Sequence, residues 1–309
     1  MNERLRIGVD LGGTKIEIIA LDPSGAALLR RRVASPARDY EAIVETIGTL
    51  VDEAEAELGE RASIGIGTPG APSRRSGLMK NANSTVLIGR PLARDLARRL
   101  GREIRIENDA NCFALSEASD GAARDARCVL GVILGTGVGS GIVVERRVLS
   151  GRNAIAGEWG HNPLPWPTAS ERPGPACYCG KYGCIETFLS GPGLVGDHAG
   201  AASESGVPAI VAAAEAGDAV AGETLERYYD RLTRSLAAVI NVLDPDAIVL
   251  GGGLSNHGAL YEELPRRLGA YVFSDTVETA VLPPLHGDSS GVRGAAWLWP
   301  AIANPAQHG

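Results

Sequence analysis

The chain has 309 residues, 44% of them apolar, which is enough for two ordinary domains with a core in each. A net charge of −7, with no basic cluster beyond short helical groups such as Arg98-Arg99, argues against a duplex nucleic-acid partner, because neutralising phosphates needs concentrated Lys and Arg. Glycine or charge interrupts every apolar run before about eighteen residues, and no basic segment with an apolar signal core precedes the first strand, so neither a membrane span nor secretion is expected.

Residues 4–33 read as a three-strand meander with turns at Gly12-Gly13-Thr14 and Asp22-Pro23-Ser24-Gly25. Apolar Ile43, Val44, Ile47, Leu50, Val51 and Leu58 predict a helix over 39–58. Ala62 to Gly67 is a short buried strand that breaks at Thr68-Pro69-Gly70, and in α/β folds such strand ends face the ligand crevice. Residues 71–90, including Lys80-Asn81-Ala82-Asn83-Ser84-Thr85, are loop-rich. A helix over 91–100, a strand over 103–107 and a helix from Asn108-Asp109 to about Gly121 follow.

Val129 to Val144, VLGVILGTGVGSGIVV, repeats the opening design of strand, glycine-packed turn and strand. Its turn offers Gly135, Thr136, Gly137, Gly139 and Gly141. Glycine has no Cβ, so backbone N–H groups can converge on an anion, and Thr136 adds a hydroxyl donor. The matched pair predicts two related lobes, each presenting a phosphate-gripping hairpin to a shared cleft. Residues 150–185 are loop-rich. From Gly191 the chain is mostly helical, most clearly over 219–243. A strand over 247–250 meets Gly251-Gly252-Gly253; a helix over 257–269, a strand over 279–282, a final helix over 291–302 and a disordered tail over 304–309 complete the chain.

Asp109 is the candidate general base, since a helix N-terminus keeps a carboxylate ionised and ready to accept an alcohol proton. The competing reading is a plain helix cap. Asn108 is open in the same way, as cap or as hydrogen-bonder to vicinal sugar hydroxyls. In Gly157-Glu158-Trp159-Gly160-His161, a helical turn puts Glu158 and His161 at i and i+3 on one side, which suits a hydroxyl-rich ligand or a metal. Three of the five cysteines, Cys177, Cys179 and Cys184, crowd into a knuckle with Gly180 and Gly183. They fit three corners of a tetrahedral metal site in a reducing cytoplasm, against the alternative of small buried apolar residues. His161 is the nearest imidazole for the fourth corner and His198 the fallback. Such a metal pins the loop carrying Glu158 and His161 to the one carrying Glu186. Gly251-Gly252-Gly253 permits close approach of a flat ring or ribose, or is simply a tight β–α turn.

DLGGTK at 10–15, GTPG at 67–70, ENDANC at 107–112, LGTGVGSG at 134–141, GEWGHNPLPW at 157–166, CYCGKYGCIE at 177–186 and DPDAIVLGGGLS at 244–255 resemble the ROK family of sugar kinases across nearly the whole chain. KNANST, GHNPLPW, CYCGK and HGDSSGVRGAAWLW are most similar to its fructokinase or mannokinase branch. The resemblance implies an α/β, two-lobed, actin-like (ribonuclease H-like) ATPase fold. The lobes are expected at 1–125, completed by the C-terminal helix 291–303, and at 126–290, with a zinc-binding loop at 161–184. ATP is expected on Gly12, Gly13, Thr14, Lys15, Gly135, Thr136, Gly137 and Gly139, with Gly252 and Gly253 beside it and Asp10 holding Mg²⁺. Asp109 matches the base, and Gly70, Asn83, Asn108, Glu158, His161 and Glu186 match sugar-binding positions. His161, Cys177, Cys179 and Cys184 match the zinc site. A homodimer is a further family expectation.

The expectation is thus an ATP-dependent hexose kinase, most similar to one converting D-fructose to fructose 6-phosphate. The alternatives are a glucokinase, a mannokinase or an N-acetylhexosamine kinase. The expected partners are a hexose and ATP in the cytoplasm, with no nucleic acid and no membrane. A sugar-responsive transcription regulator shares this body but needs a winged-helix domain ahead of the first hairpin, where Asp10 leaves no room. A zinc-knuckle nucleic-acid binder is opposed by the acidic charge and the lack of interleaved aromatics.

Overall fold

The computed structural model describes residues 5–80, 84–198 and 206–299. In chain order its elements are β1 (Arg6–Leu11), β2 (Lys15–Leu21), β3 (Ala27–Ala34), α1 (Tyr40–Leu58), β4 (Ser63–Thr68), β5 (Ala71–Pro72), β6 (Met79–Lys80), α2 (Leu92–Leu100), β7 (Arg105–Asn108) and α3 (Asp109–Ser119). There follow β8 (Cys128–Leu134), β9 (Val138–Val144), β10 (Arg147–Val148), α4 (Ile185–Leu189), α5 (Gly191–Asp197), α6 (Gly206–Glu215) and α7 (Ala219–Leu243). The last are β11 (Ala247–Gly251), α8 (Leu260–Leu268), β12 (Ala280–Leu282) and α9 (Ser290–Trp297). Among the described residues no helix is long and apolar enough to cross a membrane.

The chain divides into two compact units. The first comprises Met1–Arg124, Gly141–Ala156 and Leu285–Gly309; the second comprises Asp125–Ser140 and Gly157–Pro284. The expected lobes placed 141–156 in the second half, whereas this stretch groups with the first unit. The expected tail over 304–309 and the candidate Asn83 lie outside the described residues.

In the first unit the sheet runs β3-β2-β1-β4-β7. The β1–β2–β3 meander is antiparallel, while β4 and β7 join β1 in parallel. One face carries α1 and α2, whose Ile43, Ile47, Val51, Leu92 and Leu96 are buried with Ile7, Val9, Ile18, Ile64 and Ile66. Burying each such side chain contributes about 1.5–3 kcal/mol. Helix α1 starts where the Asp39 side chain accepts from the Ala42 N–H and stops at left-handed Gly59.

The other face is built differently. Gly8 and Gly65 are register partners on β1 and β4, and α9 lies directly on them. A Cβ on Gly8 would sit 2.0 Å from the Val292 carbonyl oxygen, and one on Gly65 1.8 Å from that of Ala295. Two strand positions without side chains make the flat seat that backbone-on-backbone contact requires.

The second sheet has the same kind of order, β10-β9-β8-β11-β12, with β8, β11 and β12 parallel. Helix α7 spans the predicted 219–243 and buries Leu225, Tyr228, Leu232, Leu236 and Ile240 at helical spacing. Helix α8 begins at Leu260, later than the expected 257, because Gly253–Asn256 form a 3₁₀ turn closed by the His257 N–H on the Leu254 carbonyl.

Candidate functional site

The first unit contributes a hairpin and a helix start. In the β1–β2 turn the Gly12 N–H donates to the Lys15 carbonyl at 3.0 Å, and Gly13 and Thr14 are exposed. Asp10, one residue from the end of β1, is half-buried. Its carboxyl is walled by glycines: a Cβ on Gly67 would stand 3.8 Å from Oδ1, and one on Gly291 3.9 Å from Cγ and Oδ2. Burial, the Asp109 carboxylate and Glu17 push the Asp10 carboxyl up to about 6, against the opposing charges of Lys15 and Arg32. An oxygen donor crowded by like charge is what a hard divalent cation satisfies, so Asp10 fits the Mg²⁺ role.

The structure separates the two readings of the Asn-Asp pair. Asn108 is the cap of α3, its Oδ1 accepting from the Asn111 N–H at 2.7 Å. Asp109 is the first helical residue and is exposed, its Oδ1 accepting from the Ala110 N–H at 2.8 Å. The capping duty therefore falls on Asn108, and Asp109 stands exposed as the first residue of α3. Glu107, a site residue missed from the sequence, holds this corner. Its Oε1 accepts from the Asn108 N–H and the Asn111 Nδ2, and its Oε2 from the Ser150 hydroxyl. The signal was its place in the ENDANC phrase, but a lone Glu at a strand end names no partner. Gly70 follows β4 with φ +81°, a left-handed conformation that favours glycine.

The second unit has its own hairpin, closed by the Gly135 N–H on the Gly137 carbonyl at 3.0 Å, with Thr136 exposed at the tip. Gly139 does not belong to this turn as expected. It lies inside β9, because the strand begins at Val138, and its backbone belongs to the strand. Glu186 braces the hairpin: its Oε2 accepts from the Val138 N–H at 2.9 Å and lies 2.7 Å from where a Gly137 Cβ would be.

The GEWGH turn lies against the same strand. A Cβ on Gly157 would meet the Ser140 carbonyl oxygen at 2.3 Å, and one on Gly160 that of Val138 at 2.2 Å. These two glycines seat the 3₁₀ turn Trp159–His161 on β9, with Trp159 buried and Glu158 exposed at its N-terminal end. At the β11 end, a Cβ on Gly252 would lie 2.3 Å from the Leu134 carbonyl oxygen, so this glycine serves the tight turn. Gly253 has open space where its Cβ would be, which leaves room for a ligand to approach.

The candidate metal ligands converge. One donor atom from each of His161, Cys177, Cys179 and Cys184 lies within 4.8 Å of all the others. Cys179 and Cys184 sulfurs are 3.6 Å apart, and the Cys177 sulfur is 3.5 Å from His161 Nδ1. Zinc bonds of about 2.3 Å to sulfur imply tetrahedral edges of about 3.8 Å, so the group fits zinc. His198 is elsewhere, with Nδ1 3.1 Å from the Thr224 hydroxyl. Burial and the neighbouring thiols push the Cys184 thiol up to about 12.

The loop between His161 and Cys177 is tied down. Glu171 accepts from Arg231 Nε at 2.8 Å and Arg234 Nη2 at 2.9 Å, both on α7, and all three side chains are buried. Arg234 Nη1 also donates to the Pro165 and Trp166 carbonyls. Beside the knuckle opens a cavity of about 460 Å³, whose wall includes Thr136, Tyr178, Glu186, Thr187, Pro175 and Ala176. Tyr178, like Glu107, was passed over in the sequence, although it sits in the CYCGK phrase between two ligands.

Two sheets of matching strand order, each with a glycine hairpin, define an actin-like α/β kinase fold. The ROK hexokinase from Thermus thermophilus shares it with a TM-score of 0.83 at 31% identity, over 95% of this chain and 97% of the other. A ROK family glucokinase from Streptomyces griseus, solved with glucose and AMPPNP, superposes with a TM-score of 0.71 at 30% identity, covering 94% and 98%. Among curated relatives, the N-acetyl-D-glucosamine kinase of Vibrio cholerae is 42% identical over 94% of this chain and 98% of its own. That of Yersinia pseudotuberculosis is 42% identical over 94% and 97%. The ROK family matches residues 6–302, so the chain belongs to the ROK family and is one of its sugar kinases. The expected fructokinase specificity is not supported: these curated relatives are named for N-acetyl-D-glucosamine, which corresponds to the N-acetylhexosamine alternative.

Proposed function

We propose that this chain transfers the terminal phosphoryl group of ATP to the primary hydroxyl of N-acetyl-D-glucosamine. The observation that carries the reading is the 42% identity, over 94% of the chain, to kinases named for that sugar. The exposed Asp109 carboxylate takes the hydroxyl proton as the sugar oxygen bonds to the γ-phosphorus and the bond to the bridging oxygen of ADP breaks. Gly70, Asn83, Asn108, Glu158 and Glu186 hold sugar hydroxyls; the His161 ring turns Nδ1 to the Cys177 sulfur and Nε2 to the Tyr178 hydroxyl, which leaves neither nitrogen for a sugar. Backbone N–H groups of Gly12, Gly13, Thr14, Gly135, Thr136 and Gly137, with the Lys15 ammonium, hold phosphate oxygens, and Gly253 admits the nucleoside. Mg²⁺, held by Asp10, would supply positive charge against those oxygens. Catalysis on this scheme is positioning and electrostatics rather than covalent chemistry.

Zinc on His161, Cys177, Cys179 and Cys184 would be structural, since four protein ligands close its shell. Metal analysis of the purified chain should find one zinc per molecule; a metal-free, fully active protein would refute this role.

The function is tested by a coupled ADP-release assay over N-acetyl-D-glucosamine, glucose, mannose and fructose, with and without Mg²⁺. The expected result is Mg²⁺-dependent turnover with the highest kcat/KM on N-acetyl-D-glucosamine. Glucose is the second reading, favoured by the 30% identity to the Streptomyces griseus glucokinase. A highest kcat/KM on glucose would displace the first reading, and no ADP release with any of the four sugars would remove both.

A further inference from the structure

We infer that Tyr178 is a specificity-determining residue that donates a hydrogen bond to the acetamido carbonyl of the sugar. This deepens the proposed function and rests on it. Tyr178 is held in place yet contributes little to the core. Its neighbours on both sides, Cys177 and Cys179, belong to the metal-ligand group, and the Cys177 N–H and carbonyl are bonded to Lys181 and Gly180. The side chain is nevertheless 83% exposed. A large aromatic fixed at its root and left in the open is available to a ligand.

Its hydroxyl is oriented by His161. The imidazole turns Nδ1 toward the Cys177 sulfur at 3.5 Å and Nε2 toward the Tyr178 hydroxyl at 2.9 Å, with the two rings edge to face. An imidazole whose Nδ1 serves as a metal donor carries its proton on Nε2. Nε2–H then donates to the phenol oxygen, and the phenol's own proton is left to point elsewhere.

The adjoining cavity complements an N-acetyl group. Its volume of about 460 Å³ falls in the range of small-molecule sites. An acetamido group needs a donor for its carbonyl, an acceptor for its N–H and an apolar wall for its methyl. Tyr178 supplies the first. Glu186, with Oε2 engaged by the Val138 N–H, offers its other oxygen as the second. Pro175 and Ala176 supply the third. A plain hydroxyl at the same carbon of glucose can still donate to Glu186, but it brings no carbonyl for Tyr178 and no methyl for the apolar wall.

The test is Tyr178→Phe, which keeps the ring and removes only the hydroxyl. For N-acetyl-D-glucosamine the KM and the calorimetric Kd should rise about tenfold, the loss of one hydrogen bond to ligand. The kcat/KM for glucose should stay within about twofold, with zinc still at one per chain. An equal fall on both sugars, an unchanged ratio between them, or loss of zinc would each overturn the assignment. If the wild-type chain itself fails to bind N-acetyl-D-glucosamine in the calorimeter, the substrate reading fails and Tyr178's role fails with it. If wild type and variant bind it equally, the Tyr178 role alone falls.

Discussion

Asp109→Asn should bind N-acetyl-D-glucosamine with near wild-type affinity and lose about 10²–10⁴-fold in kcat, the range for removing a positioned general base. The substitution is nearly isosteric, and the amide oxygen can still accept from the Ala110 N–H, so α3 should start where it does now. Asn108 remains its cap. What disappears is the ability to hold a proton, together with the negative charge that raises Asp10. Steady-state turnover together with calorimetric sugar binding separates the two effects. A kcat within about threefold of wild type would end the base assignment.

Glu171→Gln should cost about 1–3 kcal/mol of stability, because Arg231 and Arg234 lose the buried carboxylate they share while Arg231 keeps Asp197 and Arg234 keeps Asp230. Burial alone would raise the Glu171 carboxyl, but hydrogen bonds from Arg231, Arg234 and the Thr168 N–H hold it down to about 2, from an ordinary 4.5. That depression corresponds to about 3 kcal/mol at most, the upper end of this range. The sign follows from the direction. A carboxyl lowered in the folded chain contributes its full stability above pH 4.5 and loses it as pH falls toward 2. The gap in Tm between wild type and variant should therefore be widest near neutral pH and shrink below pH 4.5. Because Arg234 also grips the Pro165 and Trp166 carbonyls, the variant should release zinc to a chelator faster. A Tm gap that does not change with pH would show that the charge of Glu171 is not what anchors the loop between His161 and Cys177.

Long periodic segments were readable before the structure. Helix α7 falls on the expected 219–243 because its apolar face runs unbroken for seven turns and Asp244, in a left-handed conformation, stops it. The opening meander and α1 were legible for the same reason. Alternating glycines hid the start of β9, so Gly139 was read into a turn that ends before it. Asn108 and Asp109 can both cap a helix, and only the Asn111 N–H decides between them. Glu171 lies sixty residues from Arg231, and nothing local in either stretch announces the other. The Gly8–Gly65 seat was invisible because a glycine in a strand does not say whose backbone it meets. The fructokinase expectation finds no support among the named relatives, because the shared motifs describe what all these kinases do to phosphate and sugar hydroxyls and do not separate one hexose from another.

The seat beneath α9 has a consequence for how the chain is made. The strands that need covering are translated within the first seventy residues, and the helix that covers them emerges more than two hundred residues later. Until α9 is made the Gly8–Gly65 seat lacks its cover, although α3 already lies beside β4 and β7, and the second unit is translated in the interval. Helix α9 thus completes a body that β1 and β4 begin.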